Sequence, residues 1–509
     1  MDRREFLNLA ATASALALTG PMGSAFSAAR DAWATAFRAA LRDKPYLLGW
    51  LGTQEARLKS PQLTIEGQWP TDLRGTFFRN GSARHEIGGM RYRHWFDGDG
   101  MVQAFRIADG KVSHLGRIVE TDKVKAESKA GRALRRTFGT NFPGMETVRR
   151  PDFVNTANIS VVWHANRLLA LWEGGSAHRL NPENLDTYGL LHWSKRTQGL
   201  PFGAHPRVDT DGTLWNIGYG SAFGVLVLYR VGADGALKEA RPVKVKDMPM
   251  VHDFVITEHH LLVILPPLVF ERGEGKTILD SYTFHADRPA RVLIVDKSNL
   301  SNQRWLEMPA HFTFHYGNAW EDTHGVIRLD EARYENSSVM FGPLRDVMRG
   351  RGGSVKSRPA QQHLVTIDPM RGRIDETPLI SRDYAVEFPH VDRRRAGRRY
   401  RKVTTLLSDP TARARHPMPN TVARLDIETG GLSTYTYAAT TIPEEHLFVP
   451  KPGSDSEDDG WIVGTSLDFA AGVSRVSVFD AQHLHEGPLA VASLPYAIPL
   501  GFHGTFVSA

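Results

Sequence analysis

The feature that most constrains this chain is a long succession of short runs rich in β-branched and aromatic residues, separated by turn clusters. From about Gly49 to the end it reads "HLLVILPPL", "RVLIVDKSN", "HLVTIDPMRG", "TVARLDIETGGLSTYTY", "WIVGTSLDF" and "SRVSVFDAQ". Many runs close in Asp-x or Gly-x dipeptides, which favour hairpins. Hairpins without helical crossovers predict an all-β fold, either a large barrel or a propeller of about six or seven four-stranded blades.

Composition narrows the chemistry. Cysteine is absent, which excludes disulfides, thiolate ligands, iron–sulfur clusters and cysteine nucleophiles. A metal must therefore be held by His, carboxylate or backbone oxygen. The net charge of +6 is modest for 509 residues, and much of it lies in the run Asp392 to Lys402. We interpret that run as a solvated loop between strands and predict no nucleic-acid partner.

The first residues are typical of an export signal. "DRREFLNLAATASALALTG" pairs Arg3 and Arg4 and continues into an apolar run too short to span a bilayer. We predict a twin-arginine signal over residues 1–28 and hence a periplasmic or exported protein. Such signals carry folded proteins that often contain an inserted cofactor, so this one favours a cofactor-bearing protein.

Helices are expected in few places. Residues 29–48 place Trp33, Phe37 and Leu41 on one side of a predicted helix. Two short helical stretches are predicted around Arg132 to Arg136 and Pro343 to Arg349. The remainder, residues 49–509, is predicted to be the β-domain.

Four of the 21 histidines lie in apolar, strand-like settings. Their spacings, 47, 63 and 188 residues, are unlike the i, i+4 pair of a helical zinc site. A propeller would produce them if four blades each sent one side chain to the axis, and imidazoles without sulfur suit iron, copper, nickel or zinc. The alternative is four unrelated half-buried histidines. The four are His205, His252, His315 and His503.

Three glutamates, Glu173, Glu387 and Glu445, also stand in apolar contexts. A metal-bound imidazole usually donates its other N–H to a carboxylate or carbonyl, and a buried Glu is costly unless it is paired. The glutamates are therefore candidate partners of the histidines. The competing interpretation is that they cap loops at strand ends.

Several separated motifs resemble one family when taken in order. "GTFFRNGSARHE", "RHWFDGDGMVQAFRI", "AHPRVDTDG", "VHDFVIT", "FHYGNAWED", "EFPHVD", "EHLFVPKPGSDSEDDGW" and "GFHGTF" follow the order of the carotenoid cleavage oxygenases. The resemblance runs from about Gly52 to the C-terminus. It implies a seven-bladed β-propeller with a small helical cap over the metal-bearing top face.

The resemblance also implies a site. His205, His252, His315 and His503 would hold one non-haem Fe(II) per chain, and Glu173, Glu387 and Glu445 would support three of them. The family inserts both atoms of O2 across a conjugated C=C bond and releases two carbonyl products. The expected partners are therefore O2 and a hydrophobic polyene, a carotenoid or apocarotenoid. The oligomeric state is left open.

Residues that flank the ligand motifs are candidates for the substrate and O2 pocket. Ile159 stands where many members of the family carry a Thr that crowds the metal. Trp172 stands where stilbene-cleaving members place a Lys to grip a phenol, so a polyene is favoured over a stilbene. The pocket candidates are Ile159, Trp172, Phe254, Phe314, Trp320 and Phe502.

Two other functions stay open. One is the same iron chemistry on stilbenes and related phenylpropenoids, and the other is a propeller that binds a ligand without catalysis. The stretch Leu262 to Phe270 is either an apolar patch for peripheral membrane contact or a buried strand. No cluster of oxygen ligands for Ca2+, no P-loop and no G-x-S-x-G motif is found in the sequence.

Overall fold

The computed structural model describes residues 31–148, 150–271, 273, 276–352 and 359–509. The predicted export signal, residues 1–28, lies outside the described residues.

Strands dominate the described chain. The first half contains β1 (Arg57–Ser60), β2 (Thr64–Gly67), β3 (Gly75–Arg84), β4 (Glu86–Ile87), β5 (Met90–Arg91), β6 (Asp99–Ala108), β7 (Lys111–Ile118), β8 (Ser160–His164), β9 (Arg167–Leu171), β10 (His178–Leu180), β11 (Thr187–Leu190), β12 (Arg207–Val208), β13 (Leu214–Gly220), β14 (Val225–Val231), β15 (Leu237–Lys244), β16 (Val255–Ile256) and β17 (His260–Leu265). The second half contains β18 (Leu268–Phe270), β19 (Tyr282–Phe284), β20 (Ala290–Asp296), β21 (Gln303–Met308), β22 (Phe312–Glu321), β23 (Ile327–Tyr334), β24 (Gln361–Asp368), β25 (Arg373–Pro378), β26 (Ala385–His390), β27 (Lys402–Ser408), β28 (Thr421–Asp426), β29 (Leu432–Thr436), β30 (Thr441–Pro450), β31 (Gly460–Asp468), β32 (Val473–Asp480), β33 (Ala490–Ser493) and β34 (Gly504–Ser508).

Antiparallel pairing sorts these strands into seven blades. The strand orders are β1-β7-β6-β3-β34, β11-β10-β9-β8, β12-β13-β14-β15, β16-β17-β20-β21, β22-β23-β24-β25, β26-β27-β28-β29 and β2-β33-β32-β31-β30. Two small hairpins, β4-β5 and β18-β19, lie outside the blades. The predicted all-β, seven-bladed propeller is confirmed.

The two ends of the chain close the ring by exchanging strands. The C-terminal strand β34 pairs with β3 in the first blade, where Phe78 lies opposite Thr505. Near the other end of the described chain, β2, which follows β1, pairs with β33 in the last blade. Terminal strands usually fray, but the C-terminal strand β34 is held in register along one edge by β3. A functional residue just before β34 is therefore held in place.

One strand edge of every blade faces the propeller axis. These inner strands are β8, β12, β16, β22, β26, β30 and β34. Around the ring, β16 packs against β22, β22 against β26, β26 against β30, β30 against β34 and β34 against β8. Side chains and loops at these inner edges converge on the axis.

The helices of the described chain are few and short. The α-helices are α1 (Ala32–Asp43), α2 (Asp122–Ala130), α3 (Ser338–Phe341) and α4 (Pro343–Asp346), and 3-10 helices occupy Pro45–Trp50, Trp95–Asp97, Pro151–Val154, Lys195–Thr197, Ser221–Phe223, Leu279–Ser281, Val347–Arg349, Arg393–Arg395 and Leu484–Glu486. As predicted, α1 turns Trp33, Phe37 and Leu41 into one apolar cluster, together with Trp50 and Val347. The prediction of a helical stretch from Pro343 to Arg349 is also confirmed.

The predicted helix around Arg132 to Arg136 is wrong. The helix in this region is α2, which begins after Thr121, whose hydroxyl accepts from the Val124 N–H. It ends at Gly131, which adopts a left-handed conformation at φ 64°. A left-handed glycine terminates a helix because it turns the chain away from the helix axis, so the basic residues that follow lie outside it.

The stretch Leu262 to Phe270 is a buried strand rather than an exposed patch. Leu262 and Leu265 are fully buried in β17, and Leu268 is buried in β18. Only Val269 and Phe270 are half-buried. Among the described residues, no helix is long and apolar enough to cross a membrane.

The basic run Asp392 to Lys402 lies between β26 and β27. Several of its cations are already paired: Arg394 with Asp392, Arg399 with Glu428, and Arg401 with Asp426. The run is solvated only in part: Arg398 and Arg399 are exposed, whereas Asp392 and Tyr400 are buried.

Candidate metal centre

Four histidines from four different blades meet at the propeller axis. His205 and His252 lie in the loops just before the inner strands β12 and β16, His315 lies within β22, and His503 immediately precedes β34. Their candidate ligand atoms all lie within 4.8 Å of one another. The Nε2 atoms of His205 and His252 are 2.9 Å apart, and those of His315 and His503 are 3.1 Å apart.

The other three blades supply the three glutamates. Glu387 lies on the inner strand β26, Glu445 on the inner strand β30, and Glu173 just after β9, the neighbour of the inner strand β8. Each accepts a hydrogen bond from the Nδ1 atom of one histidine. The pairs are His252–Glu173 at 2.6 Å, His315–Glu387 at 2.6 Å and His503–Glu445 at 2.8 Å.

Local irregularities in the strands aim these side chains. The register of β26 against β27 shifts between Glu387 and His390, and that of β22 shifts on either side of Tyr316. Such bulges re-aim side chains next to functional sites. Within the shift of β26, Phe388 adopts φ 57°, an uncommon value for a bulky residue. Its ring stacks on His315 at 5.2 Å and so limits rotation of that imidazole.

A further layer of donors holds the glutamates. The Tyr219 hydroxyl donates to Glu173, and the Tyr334 hydroxyl donates to Glu387 at 2.6 Å. The Arg79 guanidinium and the Gly504 N–H donate to the second oxygen of Glu445, at 2.9 and 2.8 Å. None of these donors was predicted. Only Arg79 carried a signal, because a charged residue within the apolar run "TFFRNG" needs a buried partner.

The surroundings of these histidines and of Glu445 favour the protonation states that metal binding needs: neutral imidazoles and an ionised carboxylate. Burial lowers the pKa of His205 well below its usual value, and it lowers the pKa of His503 to about 4 against the opposing effect of Glu445. Burial raises the pKa of Glu445, but His503 and Arg79 outweigh it and bring that pKa to about 2. Burial also opposes a second proton on His315, but Glu387 outweighs burial and raises the pKa of His315.

The donor set fits a cation. When Nδ1–H donates to a glutamate, the Nε2 atom of that ring presents a lone pair. Three of the four histidines are in this state. The Nε2 atoms of His315 and His503 face each other at 3.1 Å, and the Nε2 atom of His252 faces that of His205 at 2.9 Å. Neutral imidazoles so arranged repel unless a positive ion lies between them. Four nitrogen donors without sulfur suit iron, copper, nickel or zinc, so the residues fit the predicted metal.

An apolar cavity of about 420 Å3 opens onto this cluster. His252, His315 and His503 form its inner wall. Of the predicted pocket residues, Ile159, Phe314 and Phe502 line it. Other residues of its wall, which the sequence reasoning missed, are Trp50, Trp95, Phe96, Tyr334, Leu344 and Phe388.

The other three predicted pocket residues lie elsewhere. Trp172 is half-buried over Gly174, Phe254 is buried in a cluster with Val251, and Trp320 lies between the guanidiniums of Arg328 and Arg399. Trp320 is the second-to-last residue of β22 and follows both register shifts of that strand. Its ring is in contact with two arginines there, so closeness to His315 in sequence does not bring it to the cavity.

A second cavity, of about 460 Å3, reaches the cluster along the propeller axis. We call it the axial channel. His205 lines only the channel, His252 only the apolar cavity, and His315 and His503 line both. The channel wall is mixed, with apolar residues such as Val161, Trp163 and Phe388. It differs from the apolar cavity in its many charged and polar side chains: Arg207, Asp209, Asp253, Asn318, His390, Arg393 and Arg394.

The fold and the site define a class: a metalloprotein in which a seven-bladed propeller carries a four-histidine centre on its axis. The chain belongs to the retinal pigment epithelial membrane protein family, whose profile matches residues 52–508. The resemblance to carotenoid cleavage oxygenases is thereby confirmed.

Individual relatives agree. The chain is 32% identical over 468 residues to apocarotenoid-15,15'-oxygenase of Synechocystis sp., covering 87% of this chain and 92% of that protein. It is 32% identical over 504 residues to carotenoid 9,10(9',10')-cleavage dioxygenase 1 of Pisum sativum, covering 90% of each. The crystal structure of cobalt-substituted Synechocystis apocarotenoid oxygenase superposes with a TM-score of 0.82 at 28% identity, covering 91% of this chain and 98% of that one.

Proposed function

We propose that this protein is an Fe(II)-dependent dioxygenase that cleaves a conjugated C=C bond of a carotenoid or apocarotenoid with O2, giving two carbonyl products. One observation carries the proposal: the Nε2 atoms of four histidines converge at the end of an apolar cavity. The relatives that cleave carotenoids and apocarotenoids support it.

The protein residues hold the centre in one geometry. Ferrous iron, when bound by His205, His252, His315 and His503, would supply the activation of O2 next to the alkene. Glu173, Glu387 and Glu445 fix the tautomer and the ring plane of three imidazoles by accepting their Nδ1–H. Among the residues that the structure describes, the fourth histidine, His205, makes no such bond to a carboxylate, and its ring packs against those of His252, His315 and His503.

The cavity wall binds and orients the substrate. Phe314 and Phe502 offer flat apolar surfaces beside the histidines, and Ile159 narrows the space next to them. Enclosure by such side chains excludes water and holds a double bond in register with the metal. A volume of about 420 Å3 lies within the range of about 300–1,000 Å3 common for ligand pockets.

The same wall favours a polyene over a hydroxystilbene. The Tyr334 hydroxyl already donates to Glu387, and no lysine stands among the described lining residues. Trp172, at the phenol-gripping position of stilbene-cleaving relatives, lies outside the lining. The wall also includes Arg351 and Ser408. A phenol placed away from these two side chains would lose its hydrogen bonds to water with little in return, whereas a hydrocarbon chain loses none.

Metal analysis followed by a two-substrate assay tests the proposal. Protein purified anaerobically with ferrous iron should contain about one iron per chain. On admission of air it should convert an apocarotenal to shorter aldehydes and leave a hydroxystilbene unchanged. Cleavage of the stilbene alone would establish the second candidate function, and iron without turnover on either would indicate a non-catalytic propeller.

We also propose that the protein is exported through the twin-arginine route, as Arg3 and Arg4 indicate. Fractionation of cells that express the full chain should place the protein in the periplasm. Replacing both arginines by lysine should retain it in the cytoplasm. Sedimentation of the periplasmic fraction would show how much of it associates with membranes.

A further inference from the structure

The three glutamates behind the histidines are held by different kinds of donor. Glu173 and Glu387 accept from tyrosine hydroxyls, which are neutral. Glu445 accepts from the guanidinium of Arg79, which is only 2% exposed. Because the Gly504 N–H holds the same oxygen of Glu445 at 2.8 Å, the distinctive contribution of Arg79 is its charge.

Charges on the His503 side of the centre compensate one another. A second buried carboxylate, Glu444, lies 3.9 Å from Arg79 and accepts from the Thr465 hydroxyl. A second guanidinium, Arg393, donates to the carbonyl of Gly504 at 3.1 Å. Two carboxylates and two guanidiniums thus lie on this side of the centre and their charges sum to zero, with Glu445 in contact with His503 and Arg393 exposed at the wall of the axial channel.

The opposite side has no such compensation. Among the described residues, the ion pairs of Glu173 and Glu387 are made only with His252 and His315. Arg207 and Asp253 on the channel wall pair with each other at 2.6 Å and add no net charge, so two negative charges remain around the centre. A divalent ion neutralises them, and buried charge is stable only when it is compensated.

We propose that the positive charge of Arg79 sets the net charge of the buried centre to the value that a divalent ion neutralises, and that it thereby protects ferrous iron from oxidation in air. The proposal rests on the proposed function, because it takes the metal to be iron. In the oxidation, Fe(II) transfers one electron to O2, which leaves as superoxide, and the net charge of the centre rises from zero to +1. The positive charge of Arg79 opposes that step. Without it the same step takes the centre from −1 to zero.

The test measures the oxidation of bound Fe(II) in air without substrate. Samples are withdrawn over time and the remaining ferrous iron is trapped with a colorimetric chelator. We expect Arg79→Met to oxidise roughly tenfold faster than the wild type, the size expected for one unit charge removed at about 10 Å in an effective dielectric of about 20. Binding of redox-inert Zn2+ is measured in parallel.

Three variants separate charge from geometry. Arg79→Lys keeps the charge and should oxidise at nearly the wild-type rate. Tyr334→Phe removes a neutral donor to Glu387 and should weaken Zn2+ binding without faster oxidation. The double variant Arg79→Met/Glu444→Gln restores the charge sum and should return the ferrous iron to nearly wild-type stability.

Oxidation of Arg79→Met at the wild-type rate would overturn the proposal. So would equally fast oxidation of Arg79→Lys, because geometry would then be the cause. If Arg79→Met does not fold, the double variant and Arg79→Lys decide, and fast oxidation of either rejects the idea. Wild-type protein that holds no iron would instead reject the proposed function.

Discussion

Two cavities of nearly equal size meet at the four histidines, and they differ in what they can hold. The apolar cavity, about 420 Å3, is walled mostly by aromatic and aliphatic side chains, whereas the wall of the axial channel, about 460 Å3, mixes arginines, aspartates and His390 with apolar residues. A polyene gains free energy by leaving water only where the wall is apolar. Volume alone would not identify the substrate side, but the chemistry of the wall does.

The comparison also shows what the two sides share. His205 faces only the channel and His252 only the apolar cavity, yet their Nε2 atoms are 2.9 Å apart. The metal centre therefore forms the boundary between the two cavities. Substitution of any of the four histidines should therefore impair metal binding and turnover, whichever cavity the histidine faces. Substitution of a wall residue should affect only the cavity that it lines.

The largest effect is expected from removal of a histidine on either side. His252→Ala and His205→Ala should each abolish iron retention and turnover, because each removes one of four converging donors. Metal analysis of the purified variants, together with the polyene assay, checks this. An active, iron-loaded His205→Ala protein would remove the channel-facing histidine from the centre.

Filling the apolar cavity should come next. Ala385 lines this cavity and Ala396 lines the channel, so each can be replaced by Trp as a matched pair. Ala385→Trp should lose at least about 100-fold in turnover, because the substrate can no longer reach its position, while iron content stays normal. Ala396→Trp should keep both the turnover and the iron content of the wild type. Equal losses in the two variants would show that the substrate uses the channel.

A smaller effect is expected from Glu387→Gln. The amide keeps the size of the side chain but loses its charge, so His315 is oriented less firmly. Metal affinity or activity should fall roughly 10–100-fold, measured by competition with a chelator and by the polyene assay. Glu321→Gln is a suitable control, because Glu321 accepts from His260, which is not one of the four histidines. Unaltered metal affinity and activity in Glu387→Gln would show that Glu387 only caps a loop and does not orient His315.

The smallest effect is expected from Trp172→Lys. Since Trp172 lies outside the lining of the apolar cavity, a lysine there should not create a site for a phenol. Binding of a 4-hydroxystilbene, followed by fluorescence titration, should match that of the wild type. Tighter binding would mean that this position reaches the substrate after all.

The parts of the fold that could be predicted are those with a local or periodic signal in the sequence. Turn clusters and alternating apolar runs indicated hairpins, and hairpins without crossovers limited the fold to a propeller or a barrel. The choice of seven blades, and the roles of the histidines and glutamates, came from the ordered motifs of a family. The error around Arg132 arose because the helix boundary depends on the cap at Thr121 and the left-handed Gly131, which a run of basic residues does not reveal.

The sequence by itself determined which residue types were available: no cysteine, four histidines in apolar settings and three glutamates in similar settings. Only the tertiary structure decided which of them meet and what lies beside them. Residues 188 positions apart, such as His315 and His503, become neighbours because the ring closes through β3 and β34. On the same strand as His315, Phe314 lines the cavity whereas Trp320 does not, because the register shifts of β22 and the arginines packed on Trp320 set where each ring lies. Cavity walls and charge compensation are properties of the closed ring, since each combines side chains from several blades.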